Sequence, residues 1–210
     1  MTTLALLKAD IADDLTSDNY TTEIAAQIVK AIAYYQSRRF WWTRTRTATF
    51  VTVADQGIYD SDDDADFSRI IKIDKMWLEQ SDGDTEITRI SLAAWEQLTD
   101  TGSSTGEPYS YALDDEKIYL VKVPDAVYNI RMQGNFEAAA PATDGESNNP
   151  WMIYAYELIR AHVVAYILRN KEQDFQRANA MDTVLGRELN RLIRETRLKT
   201  ERGKLRPTQF

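Results

Sequence analysis

The densest group of side chains that could do chemistry is an acidic run, which comprises Asp60, Asp62, Asp63, Asp64 and Asp66. Carboxylate oxygens could ligate a hard cation such as calcium. An EF-hand loop that starts at Asp60 needs glycine at its sixth position and glutamate at its twelfth, where this chain has Ala65 and Ile71. Catalytic carboxylate pairs need contrasting environments, which adjacency does not indicate. The run is therefore interpreted as a solvated acidic loop.

His162 is the only histidine, and it lies between Ala161 and Val163 in an apolar stretch. A general base needs an orienting partner and a nucleophile, and the sequence indicates neither. The chain has no cysteine and lacks the HExxH and GxxxxGK[ST] motifs. We therefore predict that the protein is not an enzyme and has no catalytic, cofactor-binding or metal-binding residues. His162 is assigned to packing or to a helix surface.

Two alternative functions remain open. Trp41 and Trp42, followed by Arg44 and Arg46, could stack on bases and contact phosphates in a nucleic-acid-binding module. The competing interpretation is a strand whose aromatic residues pack at a junction between helix and sheet. A small hydrolase that uses the acidic run is a weaker alternative.

The net charge of −8 is divided unevenly along the chain. Residues 187–210 carry eight Lys or Arg and three Glu, a net charge of +5, so the remainder carries −13. A basic end and an acidic body suggest that the two regions meet different partners. The acidic body also opposes strong binding to DNA, because that binding depends on a local excess of cations.

No apolar run approaches the roughly 20 residues that a membrane span requires. The N-terminal stretch MTTLALLKADIADDL has acids where an export signal has basic residues. The absence of cysteine fits synthesis in a reducing compartment. We therefore expect a soluble protein that is not exported by a signal and has no membrane partner.

Apolar residues recur at helical spacing in two N-terminal stretches, namely Leu4, Leu7, Ile11 and Leu15, then Ile24, Ile28, Ile32 and Tyr35. The first helix is predicted to start after Thr3 as N-cap and to end by Thr16. The second is predicted to be capped by Thr21 or Thr22 and to run to about Arg38.

The middle of the chain has the alternation that is typical of strands. The stretch FWWTRTRTATFVTV, from Phe40 to Val53, predicts a strand. The alternation resumes from Phe67 to Glu79, and the Asp82-Gly83 turn followed by EITRI predicts a hairpin. Ser91 then caps a short predicted helix, LAAWEQLTD.

Three more strands are predicted from Tyr109 to Phe136, namely YSYAL, IYLVKVP and YNIRMQGNF, with the turn DDEK between the first two. Pro150 suits the first position of a helix with Asn149 as its N-cap, and this helix is predicted to reach about Asn170. A last helix is predicted from near Lys171 to about Lys199, with apolar residues at near-helical spacing: Phe175, Ala178, Leu185, Leu189 and Leu192.

These elements predict an α+β fold: a helical bundle body, an inserted antiparallel β-rich domain and an extended C-terminal arm. The predicted boundaries are 1–40 for the N-terminal helices, 41–148 for the β-rich domain, 149–199 for the C-terminal helices and 200–210 for the arm. Gly203 and Pro207 prevent continuation of the last helix, so the arm is expected to order only against a partner.

The order of elements also carries a resemblance to a known family. The stretch YSYALDDEKIYLVKVPDAVYNIRMQGNF, followed by PATDGESNNPWMIYAYELIRAHVVAYILRN, resembles the head-to-tail adaptor (connector) proteins of tailed bacteriophages, particularly those of short-tailed phages. The YYQSRRFWW end of the second predicted helix is also similar to that family. One departure is the turn Asp114-Asp115-Glu116, where such proteins often have a glycine-containing turn.

The resemblance implies a structural protein of the virion, located at the head-tail junction and made in the cytoplasm of a host bacterium. It implies a ring, commonly of twelve copies, that docks on the portal protein and attaches tail or nozzle proteins. The ring would extend the channel through which double-stranded DNA passes without specific binding during genome ejection. Its channel-facing residues are expected to be mostly Asp, Glu, Ser, Thr and Asn, since an acidic lumen repels phosphates.

The same resemblance implies that the C-terminal arm reaches the portal. Leu205, Pro207 and Phe210 are the expected apolar anchors, and Arg202, Lys204 and Arg206 are the expected polar contacts to an acidic groove. The last helix carries three arginines on one stripe that are expected to contact neighbouring subunits or partner helices: Arg187, Arg191 and Arg194.

Overall fold

The computed structural model describes residues 2–15, 18–64, 66–100, 102 and 104–200. The fold is α+β, as predicted. The chain forms two compact units. The helical unit draws on both ends of the chain, up to Trp42 and from Ala138 onward, whereas the β unit is the continuous stretch Thr43–Glu137.

Six α-helices occur in the described part of the chain, and all except α3 belong to the helical unit. They are α1 (Leu4–Asp13), α2 (Thr21–Gln36), α3 (Leu92–Asp100), α4 (Pro150–Tyr154), α5 (Tyr156–Ile167) and α6 (Phe175–Thr200).

Side-chain caps start several of these helices where the sequence indicates. Thr3 accepts a hydrogen bond from the Leu6 N–H at 3.2 Å, and Ser91 accepts one from the Ala94 N–H at 3.2 Å. Pro150 is the first residue of α4, which Asn149 caps.

Helix α2 starts differently from the prediction. A short 3₁₀ turn, Asp18–Tyr20, leads directly into it, so Thr21 is already its first helical residue. Tyr20 occupies the cap position and its side chain accepts no capping hydrogen bond. The predicted cap by Thr21 or Thr22 is therefore wrong.

One hydrophobic core holds the helical unit together. It is formed by α1, α2, α4, α5 and α6, and its largest fully buried side chains are Trp151, Tyr35 and Phe40. Burying a side chain of this kind stabilises a fold by roughly 1.5–3 kcal/mol. The Trp151 indole N–H donates to the Ala138 carbonyl at 2.8 Å, so its one polar group is also satisfied.

The single helix predicted from 150 to about 170 is wrong. The helix is interrupted at Ala155, whose backbone leaves the helical region (φ −114°, ψ 14°). A π-helical turn, Leu168–Glu172, follows α5. Fully buried residues lie on both sides of the break, so each short helix brings its own residues into the core. No proline or glycine marks Ala155 in the sequence, which is why local patterns did not indicate it.

Helix α6 starts at Phe175 rather than near Lys171. Gln173 has a left-handed backbone (φ 56°), which ends the preceding turn, and Asp174 accepts a hydrogen bond from the Arg177 N–H at 3.0 Å. Phe175 was predicted to lie on the apolar face of this helix, but its side chain is exposed. It stands at the first turn, before the helix reaches the core.

Seven strands occur in the described part of the β unit: β1 (Arg44–Val51), β2 (Ile58–Tyr59), β3 (Ile70–Glu79), β4 (Thr85–Arg89), β5 (Ser110–Asp114), β6 (Lys117–Val121) and β7 (Asn129–Phe136). They form a sheet in the order β1-β7-β3-β4-β5-β6-β2. The pairs are antiparallel except β4 with β5, so the expectation of a purely antiparallel domain is corrected. Strand β7, the last in sequence, lies between β1 and β3.

The strand predicted to begin at Phe40 begins four residues later. Trp41–Thr43 form a 3₁₀ turn, and β1 starts at Arg44. The cause is tertiary packing, because Phe40, Trp41 and Trp42 belong to the core of the helical unit. The structure agrees better with the alternative interpretation, in which these aromatic residues pack at the junction between helix and strand.

A separate core fills the β unit, with Phe50, Phe67, Met76, Ile130 and Met132 among its buried residues. Gly134 in β7 shows how closely the strands approach. A Cβ atom at this position would lie 2.1 Å from the carbonyl oxygen of Lys72, where the β3 and β7 register is irregular. Only glycine fits there without movement of the backbone.

The predicted hairpin of β5 and β6 is confirmed, with Asp114 opposite Lys117 as the last pair. Its turn consists of Asp115 and Glu116, and both have left-handed backbones (φ 46° and 62°). Turns of this shape favour Asn-Gly, and a non-glycine residue in a left-handed conformation costs on the order of 1–2 kcal/mol. Asp114, Asp115 and Glu116 are all exposed at the end of this hairpin, which we call the acidic tip.

Candidate assembly surface on the helical unit

Helix α6 is the longest element of the described chain, and most of its surface is not used by the core. Only Ala178 and Leu192 are fully buried among its 26 residues. Leu185 and Leu189, predicted on the same apolar stripe, are partly buried against the core. One narrow face of the helix therefore packs inward, and the remainder can meet other proteins.

The three arginines of the predicted contact stripe have different environments. Arg191 donates to Glu188 and to Glu195, both at 2.7 Å, and the hydrogen bond to Glu188 raises its pKa. Arg187 approaches Glu188 at only 3.9 Å and its side chain is 71% exposed. Arg194 donates to the Asn190 carbonyl at 3.4 Å. Arg191 is thus held within the helix, whereas Arg187 extends into solvent.

A pocket of about 620 Å³ opens where the end of α2 meets the end of α6. It is lined by Ser37, Arg38, Arg39, Phe40, Ile193, Thr196 and Arg197, and we call it the basic pocket. Phe40 is buried and Ile193 is half-buried, so the floor is apolar. None of the described residues that line it is acidic. Three guanidinium groups around an apolar floor suit a partner that carries carboxylates or phosphates.

Aromatic side chains pack together in the same unit. The Trp42 ring stacks on Phe40 at 4.4 Å and on Tyr154 at 5.4 Å between centroids. The Nζ of Lys199 lies 3.7 Å from the Trp41 ring centroid, a cation–π contact that joins α6 to this cluster. The indole N–H of Trp42 is buried without a hydrogen-bond partner in the described chain. These rings are used in internal packing, which argues against their use as a stacking platform for bases.

The comparison with known protein families decides which class of protein this is. A sequence model of the SU10 adaptor protein family matches residues 2–208. The chain belongs to the SU10 adaptor protein family. The family resemblance inferred from the order of elements is confirmed, and the protein is a phage adaptor. Comparison with curated proteins gives no match.

Family membership places the adaptor among structural proteins of the virion. The match ends at residue 208, so it includes most of the predicted arm. The arm residues Arg202, Lys204, Leu205, Arg206, Pro207 and Phe210 lie outside the described residues. Within the described chain, no helix combines the length and apolarity needed to cross a bilayer.

His162 of the adaptor lies on α5 and is half-buried. Its Nδ1 is 3.1 Å from the hydroxyl oxygen of Tyr35, and its ring contacts the rings of Tyr34 and Tyr35. Burial lowers the pKa of the imidazole from its ordinary value of 6.5 and raises the pKa of Tyr35 to about 12. The packing role assigned from the sequence agrees with these contacts.

Carboxylates of the acidic run bind groups of their own loop. Asp63 accepts hydrogen bonds from Gln56 at 2.7 Å and from the Asp60 N–H at 3.0 Å. Asp64 accepts one from the Asp66 N–H at 2.9 Å. The described residues contain no cluster of His, Cys, Asp or Glu that could hold a metal ion. The loop therefore uses its acids to fix its own conformation.

Sequence reasoning did not single out the basic pocket. Arg38 and Arg39 were noted only within the YYQSRRFWW stretch, and Arg197 only as part of the basic end. One signal was present, namely two arginines at the end of a predicted helix, where cations suit the negative end of the helix dipole. That Arg197 joins them follows only from the packing of α6 against the rest of the unit.

Proposed function

We propose that this adaptor assembles into a ring that docks on the portal protein at the head-tail junction, extends the DNA channel and attaches tail or nozzle proteins. The observation that carries the proposal is the family match over residues 2–208. Membership gives the adaptor role in the virion. The ring, the portal and the tail partners are the steps that this proposal adds.

Helix α6 supports the contacts between neighbouring copies. A helix of 26 residues is about 39 Å long, enough to present an extended surface. Arg187 and Arg194 are exposed on this surface. Arg191 forms ion pairs at 2.7 Å, whereas Arg187 is 3.9 Å from Glu188 and Arg194 donates only to a backbone carbonyl. We assign Arg187 and Arg194 to direct contacts and Arg191 to holding the helix surface in shape.

The C-terminal arm is assigned to the portal. Its apolar residues Leu205, Pro207 and Phe210 would serve as anchors, with Arg202, Lys204 and Arg206 as contacts to acidic groups. Ordering an arm costs chain entropy, so its repetition around a ring offsets weak binding by each copy.

Mixing the purified adaptor with purified portal and imaging the particles tests this function. We expect rings on the portal with the full chain and none with residues 200–210 deleted. The matched control replaces the same residues by a Gly/Ser segment of equal length, which keeps the chain length and removes the contacts. Rings that form equally well with the Gly/Ser segment would show that the arm does not bind the portal. Absence of any ring with the full chain would contradict the ring itself.

The charge of the proposed channel is a second test of the same function. An acidic chain repeated around a ring repels phosphates, so DNA can slide. We expect the residues that face the channel in an imaged ring to be mostly Asp, Glu, Ser, Thr and Asn. A channel lined by Arg and Lys would contradict the sliding role.

A further inference from the structure

We propose that the basic pocket binds the acidic tip of a neighbouring copy of this chain. The partner is thus a second molecule of the same adaptor, and the contact joins a helical unit to another copy's β5–β6 hairpin. The proposal rests on the ring of the previous subsection and names the residues that would connect its subunits.

The cations of the basic pocket lack counter-charges within the described chain. Neither Arg39 nor Arg197 forms an ion pair or a side-chain hydrogen bond there, and Arg38 only lies over the Tyr35 ring at 5.7 Å. Glu188 and Glu195 of α6 are both bound by Arg191. The pocket therefore keeps three guanidinium groups available for an outside partner.

The helix dipole explains only part of this arrangement. Cations at the C-terminal end of α2 are favourable by themselves, and Arg38 and Arg39 occupy that position. Arg197 comes from α6 and lines the same pocket. Two cations that follow α2 and one from α6 line the same pocket, which indicates a site for an anionic group rather than a helix cap.

The acidic tip has the complementary properties. None of Asp114, Asp115 and Glu116 accepts a side-chain hydrogen bond or forms an ion pair with another described residue. Lys117, which adjoins them, is bound to Asp60 at 3.3 Å. The other run of three adjacent acids, Asp62 to Asp64, differs because its loop binds the carboxylates of Asp63 and Asp64 internally.

The hairpin also offers its carboxylates in a fixed arrangement. Strands β5 and β6 pair from Ser110 to Asp114, and Tyr111, Ile118 and Leu120 anchor them in the core of the β unit. A rigid hairpin loses little conformational entropy on binding. Three carboxylates on a rigid turn match three guanidinium groups around a pocket in number and in sign.

A phosphate group could also meet the guanidinium groups, but other features favour the protein partner. Outside residues 187–210 the chain carries a net charge of −13, which repels DNA. The pocket and the tip are different surfaces, so each copy can bind two neighbours. Contacts of this head-to-tail kind produce closed rings or open filaments.

Cysteine cross-linking tests the contact, because the chain has no cysteine of its own. We expect the double variant Arg39→Cys/Asp114→Cys to give a ladder of disulfide-linked multimers under mild oxidation. The matched control carries Asp114→Cys with Lys30→Cys, which places the second thiol at an exposed position of α2 outside the pocket. It is expected to give no ladder beyond dimers. Wild-type rings are imaged in parallel.

The parallel images separate two kinds of failure. Rings without a ladder would overturn the contact between pocket and tip and leave the ring standing. Absence of rings with the portal, together with absence of a ladder, would overturn both.

Charge exchange provides the second test. We expect Arg39→Glu/Arg197→Glu and Asp114→Lys/Glu116→Lys each to weaken self-association by about ten-fold or more, and their combination to restore most of it. All four residues are exposed, so unchanged circular dichroism serves as the folding control. No loss in either pair, or loss without restoration, would overturn the proposal. If Arg39→Glu/Arg197→Glu weakened binding of the adaptor to DNA and left self-association unchanged, the pocket would be assigned to phosphates instead.

Discussion

The two units of the adaptor differ in how the chain builds them. The β unit is one continuous stretch, Thr43–Glu137, whereas the helical unit joins two stretches separated by that insertion. Contacts across 146 residues close the helical unit, since Arg160 binds Asp14 at 2.8 and 2.9 Å and Tyr156 donates to Asp10 at 2.6 Å. All residues that the β unit needs for folding lie in one stretch of sequence, whereas the helical unit needs residues from both ends of the chain.

The largest expected effect concerns truncation. We expect residues 43–137 alone to fold cooperatively, and the chain without residues 1–42 to lose the fold of the helical unit only. Trp77 and Trp95 report on the β unit, and Trp41, Trp42 and Trp151 report on the helical unit. Near-ultraviolet circular dichroism and hydrogen exchange measure both. An unfolded 43–137 fragment would show that the units depend on each other.

Two glycines give opposite effects in the two units. Gly134→Ala places a Cβ against the Lys72 carbonyl, so we expect the β unit to lose about 3 kcal/mol or more of stability. Gly186 lies within α6, and a methyl group added there would meet no atom within 4 Å, so Gly186→Ala should stabilise the helical unit by about 0.5–1 kcal/mol. Denaturant unfolding followed by the tryptophans of each unit measures both changes. Equal destabilisation by the two substitutions would contradict the close approach of β3 and β7.

A smaller effect is expected from the ion pair that closes the helical unit. Asp14→Asn leaves the Arg160 guanidinium without its charged partner, and the side chains of Arg160 and Asp14 are only 30% and 20% exposed. We expect a loss of about 1–2 kcal/mol, between the values typical of exposed and buried pairs. The control is Glu86→Gln, which breaks the exposed Lys75 pair of the β unit and should cost about 0.5 kcal/mol or less. Equal losses in the two variants, measured by denaturant unfolding, would contradict a special role for the closing pair.

The smallest effect is a pH dependence confined to the helical unit. Burial lowers the pKa of His162, so the unfolded chain takes up a proton more readily than the folded one. The stability contributed by neutral His162 is therefore present above about pH 6.5 and is lost as the pH falls through the lower pKa of the folded state. We expect His162→Gln to lose less stability than the wild type between about pH 7.5 and pH 5.5. An identical loss in both proteins, measured by denaturant unfolding at each pH, would contradict the burial of the imidazole.

Local signals predicted the parts of the fold that local chemistry controls. Thr3, Ser91 and Asn149 cap helices where the sequence indicates, and Asp82-Gly83 lies in the connection between β3 and β4. The break at Ala155 and the start of β1 at Arg44 were missed, because packing against a distant part of the chain determines them. The position of β7 between β1 and β3 was also not predicted, since strand order depends on contacts between distant strands.

The candidate surface was predictable only in part. The arginines of α6 were found because helical spacing places them on one stripe, but spacing did not reveal that Arg191 is held by Glu188 and Glu195 on the same helix. The basic pocket requires the ends of α2 and α6 to meet, which no single stretch of sequence encodes. Family resemblance, by contrast, was recoverable because it depends on the order of elements rather than on their packing.

The position of β7 has a consequence during synthesis on the ribosome. Strand β1 has no partner other than β7 among the described strands of the sheet, so it stays unpaired until the ribosome has released residues up to Phe136. Translation adds about 5–20 residues per second, so the interval between the emergence of β3 and that of β7 lasts on the order of several seconds. During that time the free edges of β1 and β3 are open to pairing with other nascent chains. Chaperone dependence and the yield of soluble protein are thus expected to respond to translation speed between Glu79 and Asn129.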